Sequence, residues 1–196
     1  MWKTISSEEL INNRWVGVTK ETVELPNGEV INDFYKIRVS SAAAIIALTE
    51  DKIILKIEYR HCYQRELIEL PSGIFEPEET DPLDVAKREL LEETGYSSDK
   101  WTYLGPTIEN SAKLTNTIHL YLAKDCKKVS DQQLDKTEDI DVLIMPLDEA
   151  VNMVKDFYLK DDIEGALNHL YKISSQRWIM EEEVIDDITL IIMFLK

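Results

Sequence analysis

The hydrophobic period of the chain changes at Asp81-Pro82, and that change limits the fold more than any other feature. Before it, the sequence reads as strands. Residues 15–25 are rich in β-branched side chains, and Pro26-Asn27-Gly28 behind them is a strong hairpin turn, because Asn-Gly accepts positive φ. Residues 30–39 form the returning strand, and the continuous apolar run 42–48 reads as a buried one. Glu50-Asp51 makes a turn, residues 52–57 continue the sheet, and residues 66–70 add a short strand closed by Pro71-Ser72-Gly73. After the change, Asp81 is a helix N-cap with Pro82 at the first helical position. Leu83, Ala86 and Leu90 then share one face, and Gly95 is the C-cap signal. Strands return at 102–104, 117–123 and 141–145, and helices follow from Pro146 toward Val154 and over 161–173. Strands, a helix, strands and then helices predict an α+β or mixed-sheet sandwich rather than a doubly wound fold.

A chain of 196 residues suits one domain, or one with a small annex, and can bury a sizeable core. Its longest uncharged apolar run, 188–195, is far too short to span a bilayer, which needs roughly 20 residues. The start, Met1-Trp2-Lys3-Thr4, lacks the apolar segment of a signal peptide. Cys62 and Cys126 do not make a disulfide framework, so a reducing cytoplasm is the expected location, with no membrane association. A net charge of −16 argues against general nucleic-acid binding, which rests on Lys and Arg neutralising phosphates. That charge is not evenly spread. Residues 76–93 hold eight acids and two bases, 131–149 hold seven and one, and 178–196 hold five and one; the remainder is balanced at eighteen of each sign. Three stretches therefore need explaining, rather than the protein as a whole.

The first stretch contains Arg88-Glu89-Leu90-Leu91-Glu92-Glu93-Thr94-Gly95 on the predicted helix. Glu89 and Glu93 are four apart and so repel along one side of it. Glu93 also lies beside the apolar stripe, where a carboxylate is costly unless a cation compensates it. Mg²⁺ suits such a site, being a hard ion that takes carboxylate oxygens and keeps waters for a phosphate substrate. Arg88 can pair with Glu92, four residues on. The alternative is a solvated acidic helix face.

The wider spacing favours the metal. Gly73, five residues, Glu79, then Arg88-Glu89, Glu92-Glu93 and Gly95-Tyr96 closely resemble the Nudix box. One departure is an extra residue: eight positions, 80–87, separate Glu79 from Arg88 where the family has seven. It is expected before the helix, at residues 79–81, with Glu78 as an alternative to Glu79. Leu25-Pro26-Asn27-Gly28, Tyr59-Arg60 and the run from Glu66 to Gly73 resemble the ADP-ribose pyrophosphatase branch in particular. The resemblance covers residues 15–173. It implies a Nudix fold, a mixed sheet sandwiched between helices, with an N-terminal antiparallel strand region (1–40) that caps the site and exchanges across a homodimer. The hydrolase domain would be 41–173, leaving 174–196 as a tail of unassigned role.

The same resemblance implies Mg²⁺-dependent hydrolysis of a nucleoside diphosphate linked to another group, with Mn²⁺ as an alternative ion. Glu89 and Glu93, then Glu92 and the Ser72 backbone carbonyl, would be the metal ligands. Gly73 lets the backbone approach them, and Gly73, Glu79 and Gly95 frame the box. Arg60 would contact substrate phosphates. Trp15 and Phe34 would sandwich the base or else belong to the core, and Arg38 would bind phosphate or be a surface charge. In the second acidic stretch, Glu138 would orient or deprotonate the attacking water, with Asp139 in reserve. For ADP-ribose the products would be AMP and ribose 5-phosphate. Relatives often carry a Ser-x-x-Glu-like segment after Gly105, whereas residues 110–117 here hold no acid, so the substrate could be another nucleoside diphosphate sugar. The rival expectation is a catalytically silent nucleotide-sensing module on the same fold.

Overall fold

The computed structural model describes residues 1–158. The helix expected at 161–173 and the tail lie outside the described residues. Three antiparallel strands come first: β1 (Lys3–Asn12), β2 (Gly17–Glu24) and β3 (Val30–Arg38), in that spatial order. The Pro26-Asn27-Gly28 turn links β2 to β3 as its residue types require, with Gly28 at φ 87°. The resemblance implies strands over 1–40, but the residue pattern itself does not mark β1. Every residue in it is exposed, so it carries no inward-facing alternation to read.

The larger sheet follows. It contains β4 (Ala42–Thr49), β5 (Lys52–Arg60), β6 (Arg65–Glu69), β7 (Ser72–Ile74), β9 (Lys100–Thr107), β10 (Ile118–Lys124) and β12 (Ile140–Pro146). The central path runs β12-β5-β4-β10-β9, with β6 beside β5 and β7 beside β4. β10 runs parallel to β4 while its other pairings are antiparallel, so the sheet is mixed. A small ribbon of β8 (Tyr96–Ser97) and β11 (Lys127–Lys128) stands apart. Of Pro71-Ser72-Gly73, expected to close the preceding strand, Ser72 and Gly73 instead begin β7, where Gly73 pairs with Ala43. A three-residue strand is too short to show a period.

Among the described residues, two helices cover the sheet. Successive side chains of a strand point to opposite faces, and β4 divides its apolar run accordingly. Ala43, Ile45 and Ala47 pack with Val85, Ala86 and Leu90 of α1 (Pro82–Thr94), together with Tyr121 and Ala123. Ile46 packs on the other side with Ile53, Leu55 and Leu120, where Leu147 and Ala150 of α2 (Leu147–Tyr158) join them. Burial on both faces is why residues 42–48 are unbroken by polar side chains. The N-terminal sheet is tied to this body through β3: Ile37 N–H donates to Lys113 O at 2.8 Å, and Thr115 N–H donates to Ile37 O at 3.1 Å.

The ends of α1 follow their local chemistry. The Asp81 carboxylate accepts from Leu83 N–H at 2.9 Å, and Gly95 closes the helix at φ 73° with its N–H on Leu91 O. A Cβ on Gly95 would lie 2.2 Å from the backbone oxygen of Ser130. Gly95→Ala therefore combines a left-handed non-glycine residue, costing roughly 1–2 kcal/mol, with a backbone collision. We expect a loss of stability of at least about 2 kcal/mol in urea denaturation.

Candidate active site

Helix α1 presents Arg88, Glu89, Glu92 and Glu93 toward the β5–β7 end of the sheet. Its last turn holds two acids and no base, against the helix dipole, which favours cations there. Those carboxylates must therefore be supported by tertiary partners. Glu93 is only 3% exposed and Glu89 only 8%.

Glu93 is gripped from two sides. Its Oε2 accepts the Ser72 N–H at 2.9 Å, and its Oε1 meets Lys56 Nζ. Alternation along β5 sends Ile53 and Leu55 to the α2 face, and so Ile54, Lys56 and Glu58 to the α1 face. Lys56 is 1% exposed and also donates to Glu58 Oε2 at 3.0 Å and Ser72 O at 3.3 Å. Burial pushes the Glu93 carboxyl up to about 7 even though the Lys56 ammonium opposes the shift. Burial also pulls Lys56 downward, but Glu93 and Glu58 outweigh it and hold its value above the ordinary lysine range.

Glu89 stands directly against β7. A Cβ on Gly73 would lie 1.9 Å from Glu89 Oε1, so only glycine admits the carboxylate there. Burial raises the Glu89 carboxyl, with Arg88 opposing. Arg88 joins the rest of the box. It donates to both oxygens of Glu79 at 2.8 Å, to Glu89 at 2.7 Å, to Glu92 at 3.0 Å and to Ile74 O at 3.2 Å. The forked bond to Glu79 lowers that carboxyl and raises the guanidinium. Glu79, rather than Glu78, thus pairs with Arg88. Helix α1 runs unbroken from Pro82 to Thr94, so the spacing of Arg88, Glu89, Glu92 and Glu93 is that of a regular helix.

A cleft runs past these groups. Its wall includes Trp15, Arg60, Ser72, Gly73, Glu89, Glu93 and Glu138, along with Arg88 and Glu92. Arg60 is held by Glu69, through Nε and Nη2, and by Glu58 at 2.7 Å. Trp15 is 60% exposed with Arg14 stacked over its ring at 4.2 Å, so it is not a core residue. Glu138 caps the turn before β12, accepting Asp135 N–H at 2.8 Å. Asp139 does not line the cleft.

Two expected substrate contacts lie elsewhere. Phe34 is outside the cleft wall and meets Trp2 edge-on at 5.8 Å, with Lys113 Nζ 5.6 Å from its ring. Arg38 holds the β1–β2 turn, donating to Asn12 Oδ1 at 2.9 Å and Asn13 O at 3.1 Å, with its guanidinium against Gly17. The sequence reading missed Lys56, Glu58 and Glu69. One signal was available for Lys56, a lone lysine inside the apolar strand Ile53-Ile54-Leu55-Lys56-Ile57.

The donors near Gly73 suit a hard divalent ion in kind: carboxylates and a backbone carbonyl, all oxygen. Among the described residues, no three Asp, Glu, His or Cys side chains converge closely enough to form a ready cage. Arg88 and Lys56 hold the carboxylates instead. In metal-free protein the Glu93 shift has a definite sign. Between about pH 4.5 and 7 the folded chain keeps a proton that the unfolded chain has lost, so this group subtracts stability as pH rises through that window. We expect Glu93→Gln to flatten that decline in urea denaturation with chelator between pH 5 and 8.

Comparison with known proteins identifies the family and the fold. The NUDIX domain matches residues 38–164, and the nucleoside diphosphate sugar hydrolase N-terminal domain matches residues 2–37. The methanol dehydrogenase activator of Bacillus methanolicus is 36% identical, covering 81% of this chain and 86% of that protein. The ADP-ribose pyrophosphatase of Bacillus subtilis (strain 168) is 30% identical, covering 78% and 83%. A solved ADP compounds hydrolase shares the fold, with a TM-score of 0.66 at 19% identity, covering 90% of this chain and 94% of that one. With the domain matched over residues 38–164, and the box residues present apart from one added position between Glu79 and Arg88, the chain belongs to the Nudix hydrolase family.

Proposed function

We propose that this chain hydrolyses the diphosphate linkage of a nucleoside diphosphate sugar, with ADP-ribose the leading candidate, in a Mg²⁺-dependent reaction. The observation that carries this reading is the contact of Glu89 with Gly73. A buried carboxylate is pressed against the backbone of β7, beside Glu93 and the Ser72 carbonyl, in a cleft that Arg60 and Trp15 also face. The N-terminal match and the relative named ADP-ribose pyrophosphatase support the substrate class.

A divalent ion drawn to the oxygen set of Glu89, Glu92, Glu93 and the Ser72 carbonyl, through whichever of these the fixed cations leave open, would supply Lewis acidity toward phosphate oxygens and a bound water of lowered pKa. Arg88 keeps Glu89 and Glu92 oriented, and Glu79 anchors Arg88 in turn. Arg60 offers phosphate the guanidinium N–H groups that Glu69 and Glu58 leave over. Trp15 offers a stacking face to the base. Glu138 takes the proton of the attacking water. With ADP-ribose the products are AMP and ribose 5-phosphate. A silent sensing module is disfavoured, since sensing alone does not require three carboxylates crowded on one helix end.

We further propose a cytoplasmic homodimer joined through the β1–β3 sheet, within an organisation of N-terminal region 1–40, hydrolase domain 41–173 and tail 174–196. Met1, Trp2, Ile5, Leu10 and Ile11 are exposed on or beside β1, an apolar set that a second copy would cover.

The test is phosphatase-coupled phosphate release from a panel of nucleoside diphosphate compounds, with and without Mg²⁺. Metal-dependent turnover of a nucleoside diphosphate sugar is expected, and no turnover of any compound would overturn the reading. Glu138→Gln should lower kcat by on the order of 10²-fold or more with little change in KM. Arg88→Gln should weaken Mg²⁺ binding about 10–100-fold, measured from the metal dependence of the rate.

A further inference from the structure

Lys56 is a buried ammonium whose three N–H donors meet three oxygens: Glu93 Oε1, Glu58 Oε2 at 3.0 Å and Ser72 O at 3.3 Å. It is 1% exposed and interrupts the apolar run Ile53-Ile54-Leu55 and Ile57 of β5. A lysine in that place is costly, and a packed apolar side chain would serve the core as well or better. Its partners point to a reason for it. Two of the three, Glu93 and the Ser72 carbonyl, belong to the oxygen set assigned above to the metal.

We propose that Lys56 is a built-in cation of the active site, filling the position between the Ser72 carbonyl and Glu93 that a divalent ion would otherwise take, so that this chain binds one divalent ion fewer than the same site without it. Distances make the two occupants exclusive. Mg²⁺ sits about 2.0–2.1 Å from its oxygens, so an ion bonded to both of these atoms would overlap the ammonium. Admitting it would strip Lys56 of two of its three acceptors and leave a buried charge facing Glu58 alone. Glu89 and Glu92 lie on the Arg88 side of the site and remain to hold an ion there. The charge balance agrees. Glu58, Glu69, Glu79, Glu89, Glu92 and Glu93 meet Lys56, Arg60 and Arg88. The three fixed cations already neutralise half of that set.

The proposal rests on the metal site of the pyrophosphatase reading, and the test separates the two. Bound Mn²⁺ is counted by electron paramagnetic resonance and by calorimetry, without nucleotide, in the wild-type protein and in Lys56→Met, whose fold is checked by circular dichroism. One more ion per chain in Lys56→Met than in wild type is the expected result. Equal, non-zero counts overturn the proposal and leave the pyrophosphatase reading standing. No ion in either protein overturns both. If Lys56→Met does not fold, the wild-type protein decides through the ¹⁵Nζ resonances of its labelled lysines. A slowly exchanging buried ammonium that persists at saturating Mg²⁺ supports the proposal, and its loss to rapid solvent exchange overturns it.

Discussion

A carboxylate cannot be taken out of water without a partner, and the placing of Glu93 at 3% exposure organises the site around that requirement. The Ser72 amide and the Lys56 ammonium meet its two oxygens, and the demands of those partners extend outward. Lys56 brings in Glu58, Glu58 shares Arg60 with Glu69, and so β5, β6, β7 and α1 are linked by charge where they meet. On the neighbouring side Arg88 does the same for Glu79, Glu89 and Glu92. The apolar packing of α1 on β4 is indifferent to which residues fill the last turn. The charged network explains why that turn is acidic in spite of the helix dipole.

The helix and its site were legible because their signals are local. Asp81, Pro82 and Gly95 mark the helix ends through caps that need only neighbouring backbone, and Glu89 and Glu93 share a side through helical geometry alone. The hairpin at Asn27-Gly28 was readable for the same reason. The mixed sheet between two helices was also expected, because runs such as 42–48 are continuous only when both faces are covered. What was not legible depends on pairing distant in sequence. β7 is a strand because it lies beside β4, not because Ser72-Gly73-Ile74 has a period. Lys56 meets Glu93 across 37 residues, and Arg60 meets Glu69 only because β5 and β6 turn back on each other. Phe34 and Arg38 show another kind of non-local placement. Within the chain, β3 carries them to contacts with Trp2 and with the β1–β2 turn, which their residue types do not announce.

The partition of charge gives the net −16 a structural meaning. In the box, each acid that faces the sheet meets a fixed cation, so the stretch 76–93 is less unbalanced in space than in sequence. A wholly paired set would be inert toward an incoming ion, whereas a wholly unpaired one would destabilise the fold. The site lies between these limits. Six carboxylates against three cations leave it negative, with burial raising both Glu89 and Glu93. Such a site is held together by its own cations, and its residual charge would draw a further cation and repel a bare diphosphate. On the pyrophosphatase reading, phosphate would then be received with the help of Arg60, whose geometry Glu69 and Glu58 fix in advance. A free arginine would have to be ordered during binding, at a cost in side-chain entropy; one already held in place would avoid that cost.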